Sequence, residues 1–494
     1  METLSIIPYN EVFIRINCEA GTAYEMSEYF TFTVPGAKFM PAVRNKVWDG
    51  KIRLFNVATK LLYKGLIPYV EQFAKERDYN VDLHEDLEAA TEFSLSEAKE
   101  FCKGLDVDPW PRDYQLDAFV HGIRHSRGLL LSPTASGKSL IIYLLTQYLL
   151  ETKVLIIVPT VSLVYQMKTD FLDYAKKGAL DESFIRVISG TESKDWMLGH
   201  DELITITTWQ SIHKLPKKWF QQFGTVIGDE AHLFKAKSLS SIMTKLEDCK
   251  YRYGFTGTLD GTQTHKLVLE GLFGAVEKVT TTSTLIEQKH LAEFKIKATV
   301  LKYPDHIKQQ CKQLTYQQEI DFLINNTQRN RFIRNLAVSL NGNTLLLFQM
   351  LDHGKELKQL IDSQVERTIE PRKTFYVAGQ TEALERENIR AIVEKETNAI
   401  ICASYGTFST GVNIKNLHNI IFASPSKSRI RNLQSIGRGL RKSDSKDSAT
   451  LFDIADDLTW KSHKNYTIQH FAERIKIYNE EKFDYKIYTV KLKV

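Results

Sequence analysis

GLLLSPTASGKSLIIYLL, residues Gly128 to Leu145, decides how the rest of the chain is read. An apolar run of strand length enters a short loop of small residues, and an apolar stretch of helix length leaves it. Strand, tight loop and helix in that order are the context a phosphate-holding loop requires. Backbone N–H groups in the loop and the first turn of the helix are unpaired donors, and the helix dipole adds to their attraction for an anion. Pro133, Thr134, Ala135, Ser136 and Gly137 would form the cradle, Lys138 would neutralise the β and γ phosphates, and Ser139 would offer its hydroxyl to Mg²⁺. Ser132 stands where such loops commonly open with glycine, so on this stretch alone a chance Gly-Lys-Ser turn remains the alternative.

The chain has 494 residues, which suggests roughly two to four domains. Apolar residues make up 43% and charged residues 25%, close to ordinary globular usage, which argues against a disordered or fibrous protein. Five cysteines lie far apart with no C-x-x-C pair, disfavouring a zinc site or a disulfide framework and favouring a reducing, cytoplasmic setting. Glu2 and Glu11 interrupt the N-terminal stretch, which lacks the basic and apolar regions of a secretory signal, and no membrane span is evident. A net charge of +5 is too mild to name a nucleic-acid partner by itself. Its distribution says more. Between Lys38 and Lys64, seven basic residues face the single acid Asp49, with Phe39, Trp48, Phe55 and Tyr63 interleaved.

Up to about Leu83 the chain reads as a small α/β module. EVFIRINCE alternates with period two, KVWDGKIRLFN looks like a hairpin around Asp49-Gly50, and LIPYVEQFAKERDY has helical periodicity. The acidic helical stretch HEDLEAATEFSLSEAKEF hands over to the next section. From Gly128, strand-length apolar runs (GLLL, KVLIIVP, FIRVIS, ELITIT, GTVIGD, YGFTG) alternate with helical stretches, and a second such set runs from NTLLLF through TLFDIAD. That alternation argues for parallel sheets wound by helices. The expected fold class is α/β, two parallel-sheet lobes behind a small N-terminal module, divided as residues 1–97, 98–284 and 285–494. A helix near YTIQHFAERIKIYNEEKF and an alternating strand, YKIYTVKLKV, follow the second set.

TVIGDEAH puts Asp229 and Glu230 just past an apolar strand. Ligands of open α/β sheets bind beyond the strand ends, so adjacent carboxylates there suit a Mg²⁺–nucleotide site: Asp229 on the metal's water shell, Glu230 on the attacking water. His232 completes the four-residue string. The chain at this point resembles the superfamily 2 helicases and translocases, which have two RecA-like lobes and in which Ser often replaces the first loop glycine.

The other segments that resemble this family fall in its order. PRDYQLDAF is similar to the adenine-reading segment, with Gln115 on the base and Arg112 and Tyr114 beside it. VPTVSLVYQ (Pro159, Thr160) and TITTWQS (Thr208, Gln210) resemble motifs along the nucleic-acid track, and FTGTL the segment coupling hydrolysis to lobe movement. In the second lobe, LLLFQMLDHGKEL, ASYGTFSTGVNIKNLHNIIF (Thr407, Gly411, Asn413) and QSIGRGLRK (Arg438, Arg441) complete the set. Arg438 and Arg441, three apart and so on one face if the stretch is helical, would by this resemblance reach the γ-phosphate across a cleft and stabilise transition-state charge. Thr-Gly-Thr in FTGTL, Asn413 and Gln434 depart from the commonest family pattern and lean toward translocases on double-stranded DNA.

With its basic, aromatic N-terminal module the chain resembles, within that class, the recombination helicases of T-even bacteriophages. The resemblance implies ATP and Mg²⁺ as cofactors and branched or duplex DNA as partner, extending to RNA–DNA hybrid, in the host cytoplasm. It implies branch migration, fork regression and R-loop unwinding in recombination, replication and repair, alongside single-strand-binding or recombination proteins. An ATP-gated clamp on duplex nucleic acid, or an RNA helicase without preference for branched DNA, is the competing reading. In the N-terminal module Lys51 and Arg53 are the candidate phosphate contacts, while Phe39, Trp48 and Phe55 either stack on unpaired bases or form the module's core.

Overall fold

The computed structural model describes residues 2–88, 90–176, 180–189, 202–259, 262–367, 371–379, 381–407, 414, 416–424, 428, 436–437 and 448–492. Contacts divide the chain into two compact units, Met1–Ser132 with Gly137–Val279, and Pro133–Ser136 with Thr280–Val494.

The main sheet of the first unit has seven strands in the order Val276–Lys278, Arg127–Leu131, Tyr251–Thr256, Phe223–Asp229, Lys153–Val158, Ile204–Thr208 and Ile185–Ile188. Every pairing is parallel. Side chains alternate between two buried faces, which is why these strands read as unbroken apolar runs. Leu129, Leu155 and Ile157 point to one core, while Leu130, Val154, Ile156 and Val158 point to the other. The second core is covered by the helices Leu95–Gly104, Asp113–His125, Lys138–Tyr148 and Val161–Tyr174. Arg252 sits fully buried inside this apolar framework and donates to the carbonyls of Met243, Leu246 and Leu272 at 2.8–2.9 Å. Its guanidinium thereby satisfies acceptors at the ends of two helices, Lys237–Lys245 and Gln263–Phe273.

The N-terminal module forms its own four-stranded sheet, ordered Leu61–Tyr63, Phe13–Asn17, Thr3–Pro8 and Asn80–Leu83. Its interior is continuous with the first core: Leu4, Ile6, Ile14, Phe30 and Phe73 belong to the same buried cluster as Leu269, Leu272 and Phe273. Polar contacts follow the same seam. Tyr69 Oη donates to Glu270 Oε2 at 2.7 Å, and Glu11 Oε2 lies 2.8 Å from Lys64 Nζ and 3.0 Å from Arg127 Nη2. Gly65 is packed so closely that an added Cβ would fall 2.0 Å from the Glu270 carbonyl.

The hairpin expected at Asp49-Gly50 does not form. Lys51–Arg53 pairs antiparallel with Thr31–Thr33 instead, and the intervening stretch folds into the short helical turns Ala37–Phe39 and Pro41–Arg44. Asp49 accepts from the Lys51 backbone N–H at 3.0 Å and Gly50 takes a left-handed φ of 77°, so the Asp-Gly turn is real but joins the strand to the helical turn rather than to a second strand.

The second unit holds another seven-stranded, all-parallel sheet: Thr374–Val377, Ile400–Ser404, Thr344–Phe348, Asn419–Phe422, Ser448–Asp457, Glu293–Lys302 and Asp484–Lys491. Helix Tyr466–Glu480 is fastened to it by a buried ion pair, Arg474 Nη2 to Asp453 Oδ1 at 2.8 Å, with Tyr478 Oη donating to Asp453 Oδ2 at 2.8 Å. Among the described residues, no helix is long and apolar enough to cross a membrane.

Candidate nucleotide site

Strand Arg127–Leu131 ends at Ser132, whose N–H is held by the Thr256 carbonyl at 2.9 Å. Ala135 and Gly137 take left-handed backbones, φ 66° and 77°, and helix Lys138–Tyr148 begins directly after Gly137. Ser136 closes the turn on itself, its Oγ donating to the Pro133 carbonyl at 2.7 Å. Thr134 lies between them in the loop. Gly137 is required twice over, by its φ and because a Cβ there would meet Gln115 Nε2 at 2.4 Å.

Gln115 is buried, 3% exposed, and is spent on positioning: its Nε2 donates to the Gly137 carbonyl at 3.2 Å and its Oε1 accepts from the Arg112 N–H at 2.9 Å. Arg112 Nη1 in turn donates to Tyr114 Oη at 2.8 Å. The segment expected to read adenine is thus also a strut under the loop.

Lys138 Nζ lies 3.5 Å from Glu230 Oε1 and 3.9 Å from Asp229 Oδ1. Strand Phe223–Asp229 delivers both carboxylates, because the chain turns sharply at Glu230 (φ 50°) and the Glu230 N–H donates back to Asp229 Oδ1 at 2.9 Å. Burial by itself would raise both carboxyls. For Glu230 the Lys138 ammonium and His232 outweigh burial and hold it at about 2; for Asp229, burial and the neighbouring Glu230 prevail over Lys138 and its pKa is raised. His232 Nδ1 lies 3.0 Å from Thr256 Oγ1 and 3.4 Å from Glu230 Oε2. Thr256 Oγ1 also donates to the Thr258 carbonyl at 3.0 Å, so His232 ties the acidic string to the FTGTL segment.

Ser139 Oγ sits 2.7 Å from Tyr174 Oη, the last residue of helix Val161–Tyr174. Burial pushes the Tyr174 phenol up to about 12, so it remains a neutral hydroxyl at physiological pH. The hydroxyl of Ser139 and the carboxylates of Asp229 and Glu230 are oxygen donors, the chemistry a hard divalent cation takes. Tyr174 does not stand out by sequence as a site residue, and Thr256, although it lies within FTGTL, gives no sign there of its contact with His232. Tyr174 lies 35 positions from Ser139, and only the fold joins them.

Along the candidate nucleic-acid track, Thr160 caps helix Val161–Tyr174 and half-buried Pro159 precedes it. Thr208 is buried, its Oγ1 3.0 Å from Ser211 Oγ, which leaves exposed Gln210 as the reachable side chain of that pair. Thr407 is also buried, its Oγ1 2.8 Å from Ser404 Oγ. Gly411, Asn413, Arg438 and Arg441 lie outside the described residues. In the N-terminal module Lys51 and Arg53 are exposed, and Arg53 pairs with Asp49. The aromatics divide: Phe55 is core at 2% exposure, Trp48 is half-buried, and Phe39 is 73% exposed with Lys38 Nζ over its ring.

Two family models match the chain, the N-terminal model of the DNA helicase UvsW over residues 7–84 and the model of the res subunit of type III restriction enzymes over residues 95–261. The ATP-dependent DNA helicase uvsW of Enterobacteria phage T4 is 36% identical over 97% of this chain and 98% of its own. The crystal structure of T4 UvsW aligns with a TM-score of 0.53 at 35% identity, over 99% of this chain and all of that one. The DNA 3'-5' translocase XPB2 of Sulfurisphaera tokodaii is 25% identical over 67% of this chain and 79% of its own. The two seven-stranded parallel sheets are accordingly the RecA-like lobes of a helicase, with the small module before them. Alike over nearly its whole length to the phage T4 enzyme, the chain belongs to the UvsW family of ATP-dependent DNA helicases.

Proposed function

We propose that this helicase uses ATP with Mg²⁺ to remodel branched DNA, migrating four-way junctions, regressing forks and displacing RNA from R-loops. The observation that carries the ATP-driven part is the Lys138–Asp229–Glu230 cluster, one cation within 4 Å of two carboxylates at the end of a parallel strand. Lys138 binds the β and γ phosphates. Glu230, held ionised by its neighbours, accepts a proton from the attacking water. Ser139 and Asp229 would hold Mg²⁺, which supplies charge neutralisation at the phosphates. Arg438 and Arg441 are assigned to the charge that develops on the transferred phosphoryl group. Preference for branched DNA rests on similarity to the phage enzymes and on the exposed basic residues of the N-terminal module. Work in the host cytoplasm alongside single-strand-binding or recombination proteins fits that reading.

The test compares ATPase stimulation and strand displacement on a four-way junction, a fork, an R-loop, single-stranded DNA and an RNA duplex. The expected result is strongest stimulation by the junction and fork, with unwinding of both. Equal stimulation by RNA duplex, or ATP-dependent binding without displacement, would favour an RNA helicase or a clamp. Glu230→Gln is expected to retain nucleotide binding and lower kcat by at least about a hundredfold.

A further inference from the structure

The two-stranded ribbon of Thr31–Thr33 and Lys51–Arg53 in the N-terminal module ends in a compact knob, residues 34–50. The Val34 N–H donates to the Gly50 carbonyl at 2.8 Å and shuts its base. Within the knob the N–H groups of Arg44 and Val47 donate to the carbonyls of Met40 and Ala42 at 3.0 and 2.9 Å, so the chain holds itself in short helical turns. Buried Ala37 fills its centre, and a Cβ on Gly50 would come within 2.8 Å of the Ala37 Cβ. Trp48 serves the same end, its Nε1 donating to the Lys51 carbonyl at 3.0 Å.

What the knob shows to solvent is unlike an ordinary surface turn. Phe39 is 73%, Val47 81% and Met40 38% exposed, and apolar side chains left in water among polar ones mark an interaction site. The polar ones here are cations. Lys38, Arg44, Lys46 and Lys51 are exposed and make no ion pair among the described residues, while Asp49, the single acid of this stretch, is taken by Arg53. Four uncompensated cations complement a polyanion, and phosphates in a row are the polyanion a helicase meets. Lys38 Nζ lies 5.0 Å from the centre of the Phe39 ring, so charge and flat apolar face are offered together. Base faces inside an intact duplex are covered by their neighbours. A ring of this kind finds a mate only where stacking is interrupted.

We propose that the knob seats at a branch point of the DNA, with Phe39 stacked on the base left open where the arms part and Lys38, Arg44 and Lys46 on the adjoining phosphates. The proposal rests on the reading of the chain as a helicase of branched DNA and deepens it by naming the side chain that tells a branch from a plain duplex. Folded by its own hydrogen bonds before DNA arrives, the knob gives up little freedom when the ring stacks. Removal of the exposed ring leaves the buried Ala37 and the Val34–Gly50 closure in place.

The full-length protein is tested on an immobile four-way junction and on a relaxed circular duplex, which has neither ends nor branches. Phe39→Ala is expected to weaken junction binding on the order of tenfold, the value of one stacked base, and to affect the circle far less. With 2-aminopurine beside the crossing, the wild-type protein should change the fluorescence of that base and Phe39→Ala should not, while Phe39→Trp restores signal and affinity. Arg44→Glu should lower the salt slope of junction binding by about one. Equal junction affinity and equal 2-aminopurine signal in Phe39→Ala and wild type overturn the proposal, give the knob to a protein partner and leave the helicase reading standing. An equal loss on junction and circle also overturns it, since the ring then does not distinguish a branch. A wild-type protein that binds the circle as tightly as the junction would instead remove the reading beneath it.

Discussion

Lys138 is the cation that two partly buried carboxylates share, so its removal has a pH signature as well as a catalytic one. Glu230 is depressed to about 2 from an ordinary value near 4.5, so in the native protein its contribution to stability is present above the ordinary value and is lost as pH falls toward 2. Without Lys138 the pair becomes two buried like charges, and a carboxyl whose folded pKa is raised destabilises at neutral pH and recovers as pH falls. Lys138→Ala is therefore expected to abolish ATP hydrolysis and to cost about 3 kcal/mol in urea unfolding at pH 7, with the deficit shrinking toward pH 4.5. A deficit independent of pH would argue that the ammonium does not govern the carboxylates. Tyr174 gives a second residue-level test. If the Ser139 hydroxyl donates its proton to Tyr174 Oη, its lone pairs face the metal, and Tyr174→Phe should raise the Mg²⁺ concentration needed for tight binding of a fluorescent ATP analogue severalfold, with metal-free nucleotide affinity unchanged.

At the level of elements, the strands were legible where both faces are buried. LLIIV-type runs such as Lys153–Val158 and Thr344–Phe348 carry no polar alternation, and parallel sheets covered on both sides demand that pattern. Legibility fails at sheet edges and where pairing is non-local. Val276–Lys278 is three residues long with two charges. Glu293–Lys302 exposes Glu293, Lys295 and Lys297 in turn, so the first half of this ten-residue strand carries no unbroken apolar run. The buried Arg252 gave no signal, since its partners are carbonyls of two helices that no spacing rule connects. Lys51–Arg53 follows an Asp-Gly pair, the strongest short-range turn signal, and so looks like half of a hairpin in the sequence, whereas its partner is Thr31–Thr33. For the nucleotide site the loop and the acidic string were legible from spacing, and the Tyr174 and Thr256 contacts were not. The strand pairing also separates two candidate DNA contacts. Arg53 is paired with Asp49, whereas Lys51 is exposed and makes no ion pair among the described residues, so Lys51→Glu should reduce the salt slope of junction binding by about one and Arg53→Glu by less. Equal slopes in both variants and the wild type would take this strand off the DNA path.

For the molecule as a whole, the seam between the N-terminal module and the first lobe matters most. Leu4, Ile14 and Phe73 share one buried cluster with Leu272 and Phe273, and burial pushes Arg127 down to about 10 beside Glu11. Glu11→Gln would leave Arg127 and Lys64 facing each other across a partly buried gap, and a loss of about 2 kcal/mol in chemical denaturation is expected. Removal of residues 1–84 would strip one face of a core cluster and should yield an aggregating protein rather than a smaller working motor, judged by gel filtration and ATPase. In the second unit, Asp453→Asn would leave Arg474 buried without its counter-charge and should cost about 3–5 kcal/mol of that unit's stability. The close fit at Gly65, where not even a methyl group can be added beside the Glu270 carbonyl, carries a lesson for engineers. Grafting this module onto a foreign helicase as a portable cassette would fail unless the recipient's matching helix, Gln263–Phe273 here, travelled with it, so swaps and chimeras have to cut after that helix and not at the tempting acidic stretch ahead of the phosphate loop.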